Sequence, residues 1–104
     1  MEGANVIFSY TEEAVTAFLP KEIDHHGAKS IREAIDLKFF ERLPKLLILD
    51  FSSTAFMDSS GIAFILRAQQ RMQMMDGSLL VCHVPAQAKR VLDAAGISRL
   101  VTIR

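Results

Sequence analysis

The sequence predicts an α/β domain: a mixed, mostly parallel sheet with an N-terminal hairpin and helices packed on it. Three observations carry that prediction. Two β-type runs, "NVIFSY" and "AVTAFLP", stand together with only "TEE" between them, which reads as a hairpin. Beyond them, apolar runs of strand length alternate with segments of helical period, giving the order β-β-α-β-α-β-α-β. The first of those runs, "KLLILDFS", is apolar almost throughout, the pattern of a strand covered on both faces, as in a parallel sheet. Alternation of this kind implies right-handed crossovers.

Each element has its own signal. The hairpin turn lacks an Asn-Gly or Asp-Gly pair, so the strand pattern alone predicts it. In "HGAKSIREAIDLKFFERL", Ala28, Ile31, Ala34, Ile35 and Phe39 recur at helical spacing, with charged residues between them, and Pro44 ends the segment. The loop "SSTAFMDSS" leads into a helix running to about Met75, which "DG" at Asp76-Gly77 stops. Gly77 suits the left-handed position after a helix. "SLLVCHV" is the next strand. Pro85 opens a third helix, where a missing N–H costs nothing. Ala88, Val91, Leu92 and Ala95 form its stripe, Gly96 closes it, and "RLVTIR" is a last short strand.

At 104 residues, half of them hydrophobic, residues 1–104 form a single domain. Twelve basic and twelve acidic residues balance. That excludes a general nucleic-acid binder, which needs a basic face, and gives no polybasic membrane anchor. Cys82 is the one cysteine, so no internal disulfide forms, and a reducing, cytoplasmic setting is expected. "MEGANVIFSY" has no basic leader and no long apolar run, so no signal peptide is expected. No apolar stretch approaches the roughly 20 residues of a membrane span.

The chemistry concentrates in "FMDSSGIAFIL". Asp58, Ser59, Ser60 and Gly61 stand where a loop enters a helix. One reading is capping: Asp and Ser accept hydrogen bonds from the unpaired N–H groups of a first turn. The other uses the same N–H groups and the helix dipole as a seat for phosphate, with a serine as phosphorylation site. Asp58 and Asp24 would oppose such a phosphate if near it. A catalytic serine is disfavoured, because no G-x-S-x-G elbow is present and a triad would need His25, His26 or His83 beside it. A nucleotide or anion at the Ser60/Gly61 helix start is a further option, although Ile62 and Ala63 stand where a P-loop would carry lysine.

Elsewhere the plain readings prevail. "EIDHHGAK" tempts a metal assignment, but adjacent histidines point apart and no cysteine pair completes a zinc site. It reads better as a strand-to-helix turn with Asp24 as cap. His83 is expected to be a packing or strand-edge residue, and Cys82 a buried small hydrophobe. Met72 belongs to the core, Met74 or Met75 to the surface, and Lys89 and Arg90 to a solvated helix face.

Three stretches carry a resemblance. "LLILDFSSTAFMDSSGIAFIL" resembles the signature of anti-sigma factor antagonists, whose domain is called STAS (sulphate transporter and anti-sigma factor antagonist). "EIDHHGAKSIREAI" and "GSLLVCHVPAQAKRVLDAAGI" resemble its flanking strand and helix segments. The likeness runs from about Glu22 to Ile103. It implies a regulatory protein rather than an enzyme, with no cofactor. The resemblance further implies that Ser59 is phosphorylated by a partner anti-sigma factor that is also a serine kinase. The unphosphorylated form binds that partner and releases a sigma factor, and a phosphatase resets the switch. Asp24, Asp58, Ser60 and Gly61 match positions around the phosphorylated serine. The family also includes modules of other bacterial signalling complexes, and anion- or nucleotide-binding is the alternative role. Two departures stand out: Pro20 and Lys21 replace a glycine turn before "EID", and the further C-terminal helix common in the family is not seen, which leaves one sheet face less covered.

Overall fold

The computed structural model describes residues 6–104. Asn5, the first residue of the predicted strand "NVIFSY", lies outside them, as does the first half of the segment read as free of a leader. Strands β1 (Ile7–Tyr10) and β2 (Ala14–Phe18) form the predicted antiparallel hairpin. Then follow β3 (Glu22–Ile23), α1 (His25–Arg42), β4 (Leu46–Asp50), β5 (Phe56–Met57) and α2 (Ser60–Met74). The chain finishes with β6 (Ser78–Cys82), α3 (Ala86–Ala94), a 3-10 turn (Ile97–Arg99) and β7 (Thr102–Ile103). The main sheet has the order β1-β2-β4-β6-β7 and is parallel apart from the hairpin. β3 and β5 form a separate two-stranded parallel ladder.

The strand order explains where the helices lie. From β2 the chain moves to β4, β6 and β7 without reversing direction. Right-handed crossovers that all step the same way put every connecting helix on the same face. Val15, Ala17, Leu47, Leu49, Leu79 and Val81 face that layer and are buried. They pack with Ala28, Ile31, Ile35 and Phe39 of α1 and with Phe64, Ile65, Ala68 and Met72 of α2. Lys38 of α1 stands over the rings of Phe8 and Tyr10 on the same side.

The opposite face corrects one expectation. Thr16, Phe18, Leu46, Ile48, Leu80 and Cys82 alternate with the core residues and are only half-buried. β4 is therefore covered on one face, although it is apolar from Leu46 to Leu49. A run of leucine and isoleucine reports that both sides avoid water, but the crossover direction decides which side receives helices. The resulting body is thin, 35 × 32 × 19 Å across its principal axes.

Local chemistry sets the ends of the elements. α1 stops at Leu43, which is left-handed (φ 45°) and donates its N–H to the Phe39 carbonyl. Arg67 and Arg71 of α2 reach Asp36 of α1 at 3.5 and 3.1 Å and tie the two helices together. Met72 is buried, whereas Met74 is 82% exposed. Pro85 caps α3 from just outside its first turn rather than within it. Gly96 is left-handed (φ 69°) beyond the end of α3, as its position predicts.

Gly77 has a different task from the expected one. Asp76 takes the left-handed conformation (φ 56°), which Asp tolerates better than most residues. Gly77 instead permits a close approach: a Cβ there would lie 2.8 Å from the Lys45 carbonyl oxygen and 2.6 Å from the Met72 methyl. Gly77→Ala is expected to destabilise the domain by about 1–3 kcal/mol through overpacking. Urea denaturation should show a lower midpoint with an unchanged slope; an unchanged midpoint would disprove the close-approach account.

Candidate functional site

The ladder between β3 and β5 builds the site. Glu22 pairs with Phe56 and Ile23 with Met57, and the Asp58 N–H donates to the Ile23 carbonyl at 3.0 Å. Asp24 and Asp58 thus leave two paired strands side by side, and each begins a helix. Asp24 caps α1: its Oδ1 accepts from the Gly27 N–H at 2.7 Å. Asp58 serves α2 in the same way, its Oδ1 accepting from the Ser60 N–H at 2.8 Å. Glycine is needed at Gly61 because any Cβ would run into the buried Met57 side chain.

Ser59 is left over from this arrangement. It stands at the junction with helical backbone angles (φ −64°, ψ −15°) and makes no capping hydrogen bond. Its side chain is exposed, while Ser60 is half-buried. The capping task that the sequence offered to either serine falls to Asp58. The N–H groups of the first turn are also engaged. Ser60 donates to the Asp58 carboxylate, Gly61 to the Asp58 carbonyl at 3.1 Å, and Ile62 to the Ser59 carbonyl at 3.1 Å. The helix start is thus occupied by a carboxylate, and an anion seated there must displace Asp58.

Residues that the sequence did not single out complete the site. Gln87 of α3 grips Met57 at two points, accepting from its N–H at 2.8 Å and donating to its carbonyl at 2.9 Å. The Lys21 carbonyl accepts the N–H groups of Ala55 and Phe56 at 2.7 and 3.1 Å, so Lys21 holds the entry of the ladder. Phe56 is 45% exposed and offers an apolar contact three residues before Ser59. An open cavity of about 290 Å³ separates the N-terminal halves of α1 and α2, lined by His25, His26, Lys29, Arg32, Ser60 and Arg67 among others. The one available signal was the spacing of Lys29 and Arg32, which share a helix face.

His83 and Cys82 also differ from expectation. His25 and His26 line that cavity and join no cluster of potential metal ligands among the described residues. His83 is not a packing residue: it follows β6 in a left-handed conformation (φ 57°) with its side chain 68% exposed. Its Nδ1 lies 3.0 Å from the Asp50 Oδ2. No serine–histidine pair forms among the described residues, so the triad geometry is not met. Cys82 is half-buried on the uncovered sheet face rather than in the core. Burial and the neighbouring Asp50 carboxylate raise its thiol above the ordinary value. At Asp50, burial works to raise the carboxyl. The hydrogen bonds from Ser52 and His83 outweigh it and hold the group below the ordinary carboxylate value.

A STAS domain model matches residues 7–104. The chain belongs to the STAS domain family. An anti-sigma F factor antagonist of Paenibacillus polymyxa is 31% identical over 85 residues, covering 82% of this chain and 73% of that protein. The structure of the anti-sigma factor antagonist SpoIIAA in its unphosphorylated form superposes with a TM-score of 0.82 at 24% identity, covering 95% of this chain and 87% of that one. The phosphorylated form of the Bacillus cell fate determinant SpoIIAA gives 0.74, also at 24% identity, covering 95% and 90%. These likenesses bear out the mixed, mostly parallel fold of a STAS domain. No helix among the described residues is long and apolar enough to cross a membrane.

Two measurements check the local chemistry. Asp24→Ala should destabilise this STAS domain by about 1 kcal/mol through loss of the α1 cap, seen as a lower melting temperature; no change would mean the cap contributes nothing. Asp50 has a depressed pKa, so its contribution is present above the unfolded carboxylate value and is lost as pH falls through the folded one. Below about pH 4, wild-type stability should therefore fall more steeply with acid than that of Asp50→Asn, as read from denaturation midpoints. Parallel curves would refute the assignment.

Proposed function

We propose that this STAS domain is an anti-sigma factor antagonist switched by phosphorylation of Ser59. One observation carries the choice of residue: Ser59 presents an exposed hydroxyl at a helix start, with no capping role, because Asp58 performs that role. A kinase can take this hydroxyl without breaking a bond of the fold. Ser60 is half-buried and its N–H is engaged, which makes it the poorer acceptor. The relative named as an anti-sigma F factor antagonist supports the role. The SpoIIAA fold, solved in unphosphorylated and phosphorylated forms, supports a switch of this kind on this scaffold.

The mechanism is local electrostatics. Phosphate adds roughly −1.5 to −2 charges at neutral pH. Beside Ser59 those charges meet Asp58 and, across the ladder, Asp24. A partner shaped for a hydroxyl next to Phe56 then faces a bulky anion, and the complex loses both fit and attraction. The backbone at Ser59 is already helical, so the change needs no refolding. The partner is an anti-sigma factor with serine kinase activity, a phosphatase restores the hydroxyl, and the protein works in the cytoplasm.

A second reading rests on the cavity beside Ser60, where Lys29, Arg32 and Arg67 gather. Their charges suit an anionic ligand such as a nucleotide, which would make the domain a sensor or scaffold in another signalling complex. Two outcomes separate the readings. Under the first, incubation with the cognate kinase and ATP labels the wild type and leaves Ser59→Ala unlabelled. Ser59→Ala still binds the kinase, and Ser59→Asp binds at least about tenfold more weakly, a cost of 1.4 kcal/mol or more. Labelling of Ser59→Ala at the wild-type level would refute the choice of residue. Calorimetric heat with nucleotides, abolished in Arg32→Ala and accompanied by no phosphorylation, would favour the second reading instead.

A further inference from the structure

The side chains of Asp50, Cys82 and His83 converge at the ends of β4 and β6. Asp50 and Cys82 are register partners on neighbouring parallel strands, so their side chains leave the same face of the sheet. His83 follows Cys82 directly, and in a continuing strand it would point to the opposite face. Its left-handed backbone (φ 57°) breaks that alternation and brings the imidazole back to Asp50, 3.0 Å from Nδ1 to Oδ2. One carboxylate oxygen, one thiol sulfur and one ring nitrogen thereby lie within 4.8 Å of one another.

We propose that Asp50, Cys82 and His83 form a binding site for a divalent cation of the zinc class. The donor set decides the class. A thiolate and an imidazole suit Zn²⁺, whereas Mg²⁺ and Ca²⁺ prefer oxygen donors. The bite fits as well. Tetrahedral zinc at about 2.0–2.2 Å from N and O separates those two atoms by roughly 3.4 Å, a few tenths of an ångström wider than the present 3.0 Å. The sulfur lies within 4.8 Å of both and has to close to roughly 3.6 Å of them to complete a tetrahedral set. Asp50 is pre-oriented by the Ser52 N–H, which donates to its other oxygen, Oδ1, at 2.8 Å, the kind of outer support that fixes a metal-ligating carboxylate. His83 is exposed, so the fourth position opens to solvent and takes water.

Binding balances simply. The Cys82 thiol releases its proton to solvent and forms the sulfur–metal bond. The His83 proton moves from Nδ1 to Nε2, freeing the Nδ1 lone pair, and the Asp50 carboxylate exchanges a hydrogen bond for a metal bond.

Cobalt(II) tests the site in the full, reduced, metal-free chain. Titration should produce a thiolate-to-cobalt charge-transfer band in the near ultraviolet that saturates at one equivalent and is bleached by Zn²⁺. Cys82→Ser should abolish the band. His83→Gln should weaken binding by more than the roughly 10–100-fold typical of losing an outer-shell partner, and the double substitution His25→Ala/His26→Ala should change neither. A wild-type titration without the band overturns the proposal, and so does cobalt binding that disappears with His25 and His26 instead. The wild-type band reports sulfur ligation directly, so the test stands even where a variant folds poorly.

Discussion

The direction in which the chain steps across its sheet is the constraint on which the rest depends. Each parallel connection moves one place further from the hairpin, so every right-handed crossover lands on one face. The helices share that face, their N-termini gather along the edge where the strands end, and the other face is left half-covered. The order never reverses, so the sheet lacks the switch-point crevice where many α/β proteins seat a ligand. The candidate site is built outside the main sheet instead, on the small ladder of β3 and β5.

That ladder leaves Ser59 free for the switch proposed above. Two aspartates emerge from paired strands and cap two helices. With both helix starts satisfied, the intervening hydroxyl carries no structural load. A serine that held its own helix would exchange stability for each phosphate it accepted. As the proposed acceptor, Ser59 is spared that conflict, because the cap is a separate residue one position away.

Much of this was readable in the chain. Helical spacing marked α1 through Ala28, Ile31, Ile35 and Phe39, and cap chemistry marked Asp24 correctly. "DSSG" after an apolar run located the junction. What escaped were features with no periodicity of their own. Strands of two residues, such as Glu22–Ile23 and Phe56–Met57, leave no alternation to detect, and their pairing comes from distant segments. The apolar composition of "LLIL" cannot report how many faces are covered, because strand order determines that. The left-handed turn went to Asp76 rather than Gly77 because the glycine was needed for its missing Cβ. His83, read as a packing or strand-edge residue, falls just beyond the end of β6, and its left-handed backbone turns the ring to Asp50, a contact with no periodicity to report it.

The two-pronged grip of Gln87 on Met57 has a consequence for recognition. In a parallel ladder, alternate residues turn their backbone groups to opposite sides. Phe56 and Asp58 turn theirs toward the β3 side, leaving the N–H and carbonyl of Met57 facing away. A single side-chain amide satisfies both and so acts as a surrogate neighbouring strand. The ladder therefore offers no open edge on that side for an incoming β-strand. A partner docking at Ser59, as proposed, would find the main chain beside it already spoken for and would have to discriminate by side-chain shape and charge, the two properties that a phosphate alters most.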